Sequence, residues 1–497
     1  MIWPQSFRRN LRTGISQIPL GVYLAQNLPA RFIAPGRICS YANHGMALAG
    51  FLVESVSGLP FHEYVSQEIL RPLGMSRSSF GMEPAVLESL AQGYVFSSGS
   101  YRYVPVDFRN EVPSGSLVAT GTDMGRFLRA FLNGGELDGT RILGGAATSA
   151  MLTRQFSHHP AMRGVGLGFW EFGIDGRAYW GHDGDIVGWN ARAILAPERG
   201  LGLFVAYTGT DTLKAFADRV TAAVFDGIYP GSSGDRLPRT ASATSARMEG
   251  VYRWTRTVRD TPDRLFTPYW LVQYRVRVVA SDVLELTNPV GLFPASRWEA
   301  VSGALFQEVG GKRLLAFREE DGRIRHLLLE GPVPMAFERL SRWESVSAQV
   351  GIALFFIAAF LVIGVLASTG LPRSRARRLG LSRLMAVASA ANVLFLVALP
   401  PVMGLNMFFS NLLPLPELLV PPGNPTFFYG MPVAAVVLLG LPLCALVVTA
   451  VLAVQTISAC RHRTCSPVLG CAVAAFVALQ CAFASFLHYW NLLGYTS

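Results

Sequence analysis

Twenty consecutive residues from Val350 to Thr369 carry no charged side chain, a run long enough to cross a hydrocarbon core about 30 Å thick. Comparable runs extend from Leu384 to about Val402, from about Phe427 to Ile457 and from about Pro467 to Leu487. Four transmembrane helices are therefore expected, and with 497 residues the chain is too long and too apolar for one ordinary domain. None of these spans holds an ionisable residue, whereas a transporter is expected to place such groups inside its helices. They have the character of an anchor.

Basic residues in the short connecting loops set the expected orientation, because Lys and Arg are retained on the cytoplasmic side. Arg373, Arg375, Arg377, Arg378 and Arg383 lie between the first two spans, and Arg461 and Arg463 between the last two. The connection from about Met403 to Thr426 carries Glu417 and no basic residue, which fits the outer face, as does everything before Val350. The net charge of +10 does not point to nucleic acid: residues 347–497 hold seven arginines against one glutamate, so most of the charge is a topology signal. Five of the six cysteines lie in or beside the spans, leaving Cys39 alone in the soluble part, with no disulfide framework or zinc pattern.

In the soluble part, Asn43–Ser57 reads as a buried helix on the apolar residues Met46, Leu48, Phe51, Leu52 and Val56, with Gly58 as a left-handed cap. Met124, Phe127, Leu128, Phe131 and Leu132 recur at helical spacing, with Thr122 as the expected N-cap and Asp123 near the positive end of the dipole. Two strands at about Ala191–Leu195 and Leu201–Tyr207, joined by Pro197-Glu198-Arg199-Gly200, read as a hairpin. Thr210 to about Phe225 returns to helical spacing, and the breaker-rich stretch from Pro230 to Ala246 reads as a linker. From Gly250 to about Leu340, short alternating runs such as Val272 to Val278 predict antiparallel strands.

Two segments carry chemistry. The first is Pro35-Gly36-Arg37-Ile38-Cys39-Ser40-Tyr41-Ala42-Asn43, followed by Gly58-Leu59-Pro60-Phe61 and Ile69-Leu70-Arg71-Pro72-Leu73-Gly74-Met75; the second is Trp180-Gly181-His182-Asp183-Gly184-Asp185 with Gly188-Trp189. In order and spacing they resemble the serine hydrolases of the β-lactamase and penicillin-binding-protein superfamily, in its class C-like esterase and peptidase branch. Pro113-Ser114-Gly115 leading to Thr122-Asp123-Met124 resembles a further landmark of that family, a loop that shapes the pocket. The resemblance implies Tyr41 as general base and Asn43 as an amide that orients substrate. It implies His182 as a hydrogen-bonding group, Gly184 as a point of close backbone approach, and the Asp185 N–H as an oxyanion donor. A phenol of pKa about 10 must then be held partly ionised by neighbouring cations. The bland alternatives are an ordinary turn with Asn43 as an N-cap, and a structural histidine in a glycine-rich turn.

The resembled enzymes acylate a serine activated by a lysine one turn later on the same helix face. Here the only lysines, Lys214 and Lys312, have Asp211 and Val309 three residues before them, so no Ser-x-x-Lys exists in the chain. Residues Met1 to Gly14 also lack an apolar signal segment. The expectation is a chain truncated at its N-terminus, with export signal and nucleophile lying upstream. No Gly-x-Ser-x-Gly elbow offers another nucleophile, and His158-His159 has no further metal ligand at suitable spacing and is expected to be solvated.

The resemblance thus implies an α/β (α+β) β-lactamase-like transpeptidase fold, an antiparallel sheet flanked by helices and incomplete at the N-terminus. The expected organisation is a hydrolase-like domain at 1–229, a linker at 230–248, a small β-rich domain at 249–345, of the barrel kind often appended to these hydrolases, and a transmembrane region at 346–497. Two functions stay open. One is a membrane-anchored serine hydrolase acting on an ester, amide or peptide through an acyl-serine, inactive in this form. The other is a non-catalytic membrane-tethered protein that binds cell-wall or peptide ligands. Neither needs a metal or organic cofactor or a nucleic-acid partner, and both place the chain in a membrane of the bacterial cytoplasmic type with its soluble domains extracytoplasmic.

Overall fold

The computed structural model describes residues 18–29, 31–81, 84–97, 99–104, 110–174, 177–186, 188–209, 215–228, 246–257, 273–289, 294–331, 333–369, 380–402 and 433–493. The chain divides into two units, residues 1–257 with 271–340, and residues 258–270 with 341–497.

In the first unit the helices are α1 (Leu20–Gln26), α2 (Asn43–Ser57), α3 (Phe61–Val65), α4 (Pro84–Ser89), α5 (Val112–Gly115), α6 (Gly121–Leu132), α7 (Gly145–Met151) and α8 (Ala215–Ile228). Two small hairpins, β1 (Gly93–Ser97) with β2 (Ser100–Val104) and β3 (Glu136–Leu137) with β4 (Thr140–Arg141), flank a six-stranded sheet. Its strands are β5 (Phe156–Ser157), β6 (Gly164–Val165), β7 (Trp170–Ile174), β8 (Arg177–Ile186), β9 (Trp189–Ala196) and β10 (Leu201–Thr208), antiparallel and in sequential order.

Both faces of this sheet are covered, and the period of two along each strand sorts the side chains. Trp180, Ala193, Leu195 and Phe204 cluster with Leu128, Phe131 and Leu132 of α6, while Tyr179, Ile194, Ala196 and Leu203 cluster with Phe225 of α8. Gly202 lets α6 approach closely, since a Cβ there would stand 3.1 Å from Leu128 Cβ. This is the expected antiparallel sheet flanked by helices. The β9–β10 connection turns through a 3-10 segment at Pro197–Arg199 with Gly200 at φ 61°, the left-handed position that favours glycine.

Two helices differ from expectation. The N-cap of α6 is Thr120, whose hydroxyl accepts from Asp123 N at 3.2 Å, while the Asp123 carboxylate accepts from Arg77 N and Ser78 Oγ instead of sitting free at the helix start. Helix α2 has the expected bounds and its Gly58 cap, but it buries its small face, His44, Ala47 and Gly50. Close contact with α5 explains this, because a Cβ on Gly50 would meet Pro113 Cγ at 2.3 Å. Met46, Leu48, Leu52 and Val56 consequently face solvent.

Eight further strands close into an antiparallel barrel: β11 (Gly250–Trp254), β12 (Gln273–Ala280), β13 (Val283–Thr287), β14 (Ser296–Ser302), β15 (Leu305–Glu308), β16 (Leu314–Glu320), β17 (Arg323–Leu329) and β18 (Met335–Arg339), which pairs back with β11. An eight-stranded barrel is just wide enough for its own side chains to fill. Tyr252, Leu286, Trp298, Phe306, Phe317, Leu327 and Phe337 cluster in the barrel core. The opposite face of the same strands is also apolar: Leu314, Ala316, Leu328 and Ala336 pack against Met162 and Ile38. Arg163 and Glu330 add a salt bridge at 3.2 Å between the barrel and the sheet domain. The expected linker at 230–248 falls almost wholly outside the described residues.

The second unit holds α9 (Val346–Thr369), α10 (Leu381–Val402), α11 (Val433–Arg461) and α12 (Pro467–Tyr489), all four long and apolar enough to span a membrane. The third was expected from about Phe427 to Ile457; its described part begins at Val433 and continues to Arg461, where a basic residue suits the helix C-terminus. The loop from Met403 to Thr426 and the arginines from Arg373 to Arg378 lie outside the described residues.

Phe306 is fully buried in the barrel. Phe306→Ala is expected to lower stability by ~3–5 kcal/mol in chemical denaturation; a loss below about 1 kcal/mol would mean the barrel interior collapses around the hole.

Candidate active site

Tyr41 sits in the extended segment that leads into α2, and Asn43 is the first residue of that helix. Ala42 occupies the N-cap position and no side chain caps the helix, so Asn43 is not an N-cap and its half-buried amide lies at the corner between extended chain and helix. The Tyr41 ring packs edge-on against Trp170, with centroids 5.5 Å apart, and its centroid is 5.9 Å from that of His182. Trp170 and His182 lie 4.1 Å apart. The guanidinium carbon of Arg256, just past β11, stands 4.6 Å from the Tyr41 centroid.

The second segment lies on β8. Strand β7 pairs with β8 only as far as Gly181, whereas β9 runs beside it to Ile186. From His182 onward, β8 therefore has one strand neighbour among the described residues. Gly184 and Asp185 are exposed there. Glycine at 184 is required neither by its backbone nor by packing: its φ is not positive, and an added Cβ would make only ordinary contact with Ala191 Cβ at 3.6 Å.

Burial pushes the His182 imidazole below its ordinary value, with a hydrogen bond and the charge from Asp183 opposing it. It is a neutral hydrogen-bonding group near pH 7, not a cation. Asp183 is occupied elsewhere: it accepts two bonds from Arg192, at 2.7 Å from Nε and 2.9 Å from Nη2. Arg192 also reaches Asp218 of α8 at 2.6 Å. Although burial disfavours its charge, these two carboxylates hold Arg192 above the ordinary arginine value.

Tyr41 and His182 are thus brought together, while Gly184 and Asp185 continue along the same strand into solvent. Sequence reasoning missed Trp170, Arg192 and Arg256. Arg192 left a signal, since it shares a strand face with Ile194 and Ala196, where an arginine needs buried carboxylates. His158 is a correction: it is buried, not solvated, and its Nε2 accepts from Cys39 N at 3.1 Å. Burial, with the nearby charges of Arg318 and His326, pushes it down to about 4. Among the described residues no group of three or more His, Cys, Asp or Glu is placed to hold a metal. The β1–β2 hairpin abuts the end of the strand pair, where Trp189 Nε1 donates to Ala91 O at 2.7 Å and a Cβ on Gly93 would strike the Trp189 ring.

Arg192→Ala leaves the buried Asp183 charge without its partner and is expected to cost ~3–5 kcal/mol in a denaturant melt. His182 should titrate by NMR below its usual midpoint. Because its folded value is depressed, its contribution to stability is complete above the unfolded value of about 6.5 and is lost as pH falls below it. A midpoint above that value would contradict the geometry.

Residues 22–225 match the family model described as Beta-lactamase. The chain is 27% identical over 328 residues to the human protein named putative beta-lactamase-like 1, across 64% of this chain and 59% of that one. It is 26% identical over 217 residues to penicillin-binding protein 4 of Amycolatopsis lactamdurans, across 41% of this chain and 55% of that one. The chain therefore spans less than two thirds of the length of either relative. Among solved structures, SurE aligns with a TM-score of 0.44 at 22% identity, covering 67% of this chain and 76% of that one. Through residues 22–225 the chain matches the Beta-lactamase family model, and it is similar there to beta-lactamase-like and penicillin-binding proteins.

Proposed function

We propose that the Tyr41–His182 cleft is the substrate-binding half of an acyl-transfer centre for an ester, amide or peptide, carried by a membrane-anchored protein. In this reading Tyr41 is the general base, Asn43 and His182 position the substrate, and Gly184 with the Asp185 N–H presents backbone to a developing oxyanion. The observation that carries it is the convergence of two segments distant in sequence, Tyr41 and His182, to 5.9 Å beside an open length of strand. The amide and ring groups bind and polarise a carbonyl, but an acyl-enzyme needs an attacking hydroxyl. No serine in the 497 residues has a lysine three positions on, so this chain is expected to turn substrate over slowly or not at all.

A serine-directed fluorophosphonate should accordingly leave the 497-residue chain without stoichiometric label. Stoichiometric labelling that disappears in Tyr41→Phe would show a recruited serine and end the inactive reading. The second reading, a tethered binding protein, rests on the same missing dyad. Calorimetric titration with a peptidoglycan stem peptide should then show binding weakened about tenfold in Asn43→Ala and in Tyr41→Phe. No heat of binding in the unaltered chain would remove it.

For topology, we infer that the turn bearing Arg461 and Arg463 faces the cytoplasm and that the soluble unit lies outside. Protease added to sealed cells should digest residues before Val346 and spare that turn; full protection of the soluble unit would reverse the assignment.

A further inference from the structure

Arg256 lies two residues beyond the end of β11, where the barrel domain meets the Tyr41 ring. Its guanidinium carbon is 4.6 Å from the Tyr41 centroid and 5.7 Å from the Trp254 centroid, over aromatic faces that a planar and weakly hydrated cation suits. Its Nε is buried without a hydrogen-bond partner among the described residues. A cation so placed is costly unless negative charge forms beside it. The Tyr41 hydroxyl is a group on which such charge forms by loss of a proton.

We propose that Arg256 is the cation that stabilises Tyr41 as a phenolate, so that the appended barrel supplies the charge on which the base depends. The inference rests on the reading of Tyr41 as the base of this site, and Arg256 is a positioning residue within it. The other groups around Tyr41 are weaker candidates. His182, from β8, is held neutral by burial. Tyr179, also from β8, shares the apolar cluster and carries no positive charge, and Trp170 from β7 does not titrate. His44, the second residue of α2, is disfavoured as a cation by burial. Glu111 is the competing anion: burial pushes Arg256 below the ordinary arginine value, and the charges of Tyr41 and Glu111 both oppose that. The attraction is mutual, so whatever the phenolate returns to Arg256, the guanidinium gives to the phenolate.

The test is the ionisation of Tyr41 in the full chain in detergent, read as tyrosinate absorbance and isolated as the difference from Tyr41→Phe. The unaltered chain should ionise Tyr41 below the ordinary value of about 10. Arg256→Gln and Arg256→Met should each raise the midpoint by about one unit or more, and Arg256→Lys should restore most of the fall. The methionine variant keeps an apolar stem against Trp254, so agreement between the two neutral variants assigns the effect to charge and not to lost packing. An unchanged midpoint in either folded neutral variant, or a lysine variant that behaves like glutamine, overturns the proposal. Stem-peptide binding separates the two failures. A midpoint that moves with Arg256 while Tyr41→Phe leaves binding intact removes the functional reading alone, and the reverse pattern removes this inference alone.

Discussion

Asp183 and Arg192 are both almost wholly withdrawn from water, and the position of β8 depends on their pairing. Charges that deep are tolerated only when each hydrogen-bonding group finds a partner, which makes the pair unforgiving of displacement. Arg192 lies on β9, Asp183 on β8, and the third member, Asp218, on α8, so one guanidinium ties two strands to the helix that covers them. The two residues on either side of Asp183 are His182 and Gly184. The buried ion pair thus fixes β8 at the residue between His182 and Gly184.

The barrel extends the same logic. Its interior is filled among the described residues by its own aromatic and aliphatic side chains, as the width of an eight-stranded barrel allows. Its external apolar face meets Met162 and Ile38, and Ile38 lies three residues before Tyr41. Arg318 on β16 donates to the carbonyls of Arg37 and His158, and His158 in turn accepts from Cys39 N. The strand-like approach to Tyr41 is thus held from below by barrel groups, while Arg256 reaches the ring itself. A domain that fixes both the backbone and the electrostatic surroundings of one residue is poorly described as an appendage.

Much of this was legible in the residues, and the parts that were not share a cause. The helix from Asn43 to Ser57 with its Gly58 cap, the β9–β10 hairpin and the four apolar helices all follow from local periodicity and turn chemistry. The burial of α2 was misjudged, because periodicity locates an apolar stripe but cannot say that Pro113, far along the chain, demands the glycine face instead. Thr120 caps α6 in place of Thr122, and Asp123, placed by sequence to suit the helix dipole, has its carboxylate claimed by Arg77 and Ser78. Tyr41 and His182 lie in motifs that the sequence displays, whereas Trp170 and Arg256, which pack against them, carry no local pattern at all. A residue whose role is set by a partner on another element leaves its trace only in three dimensions.

The membrane unit shows the same limit. Hydropathy describes α9 to α12 as uniform apolar rods, but Asn392 of α10 and Gln480 of α12 are buried against each other at 3.0 Å, with Ser389 buried one turn away. In hydrocarbon a polar amide is disfavoured unless it turns inward to a partner, so this pair fixes which faces of the two helices meet. Gly364 of α9 faces Ser389, and a Cβ there would stand 3.4 Å from Ser389 Cβ, in ordinary contact. Apolar length alone would suffice for an anchor in lipid. A buried hydrogen bond between two amides favours one facing of α10 and α12, a preference that apolar length alone does not supply.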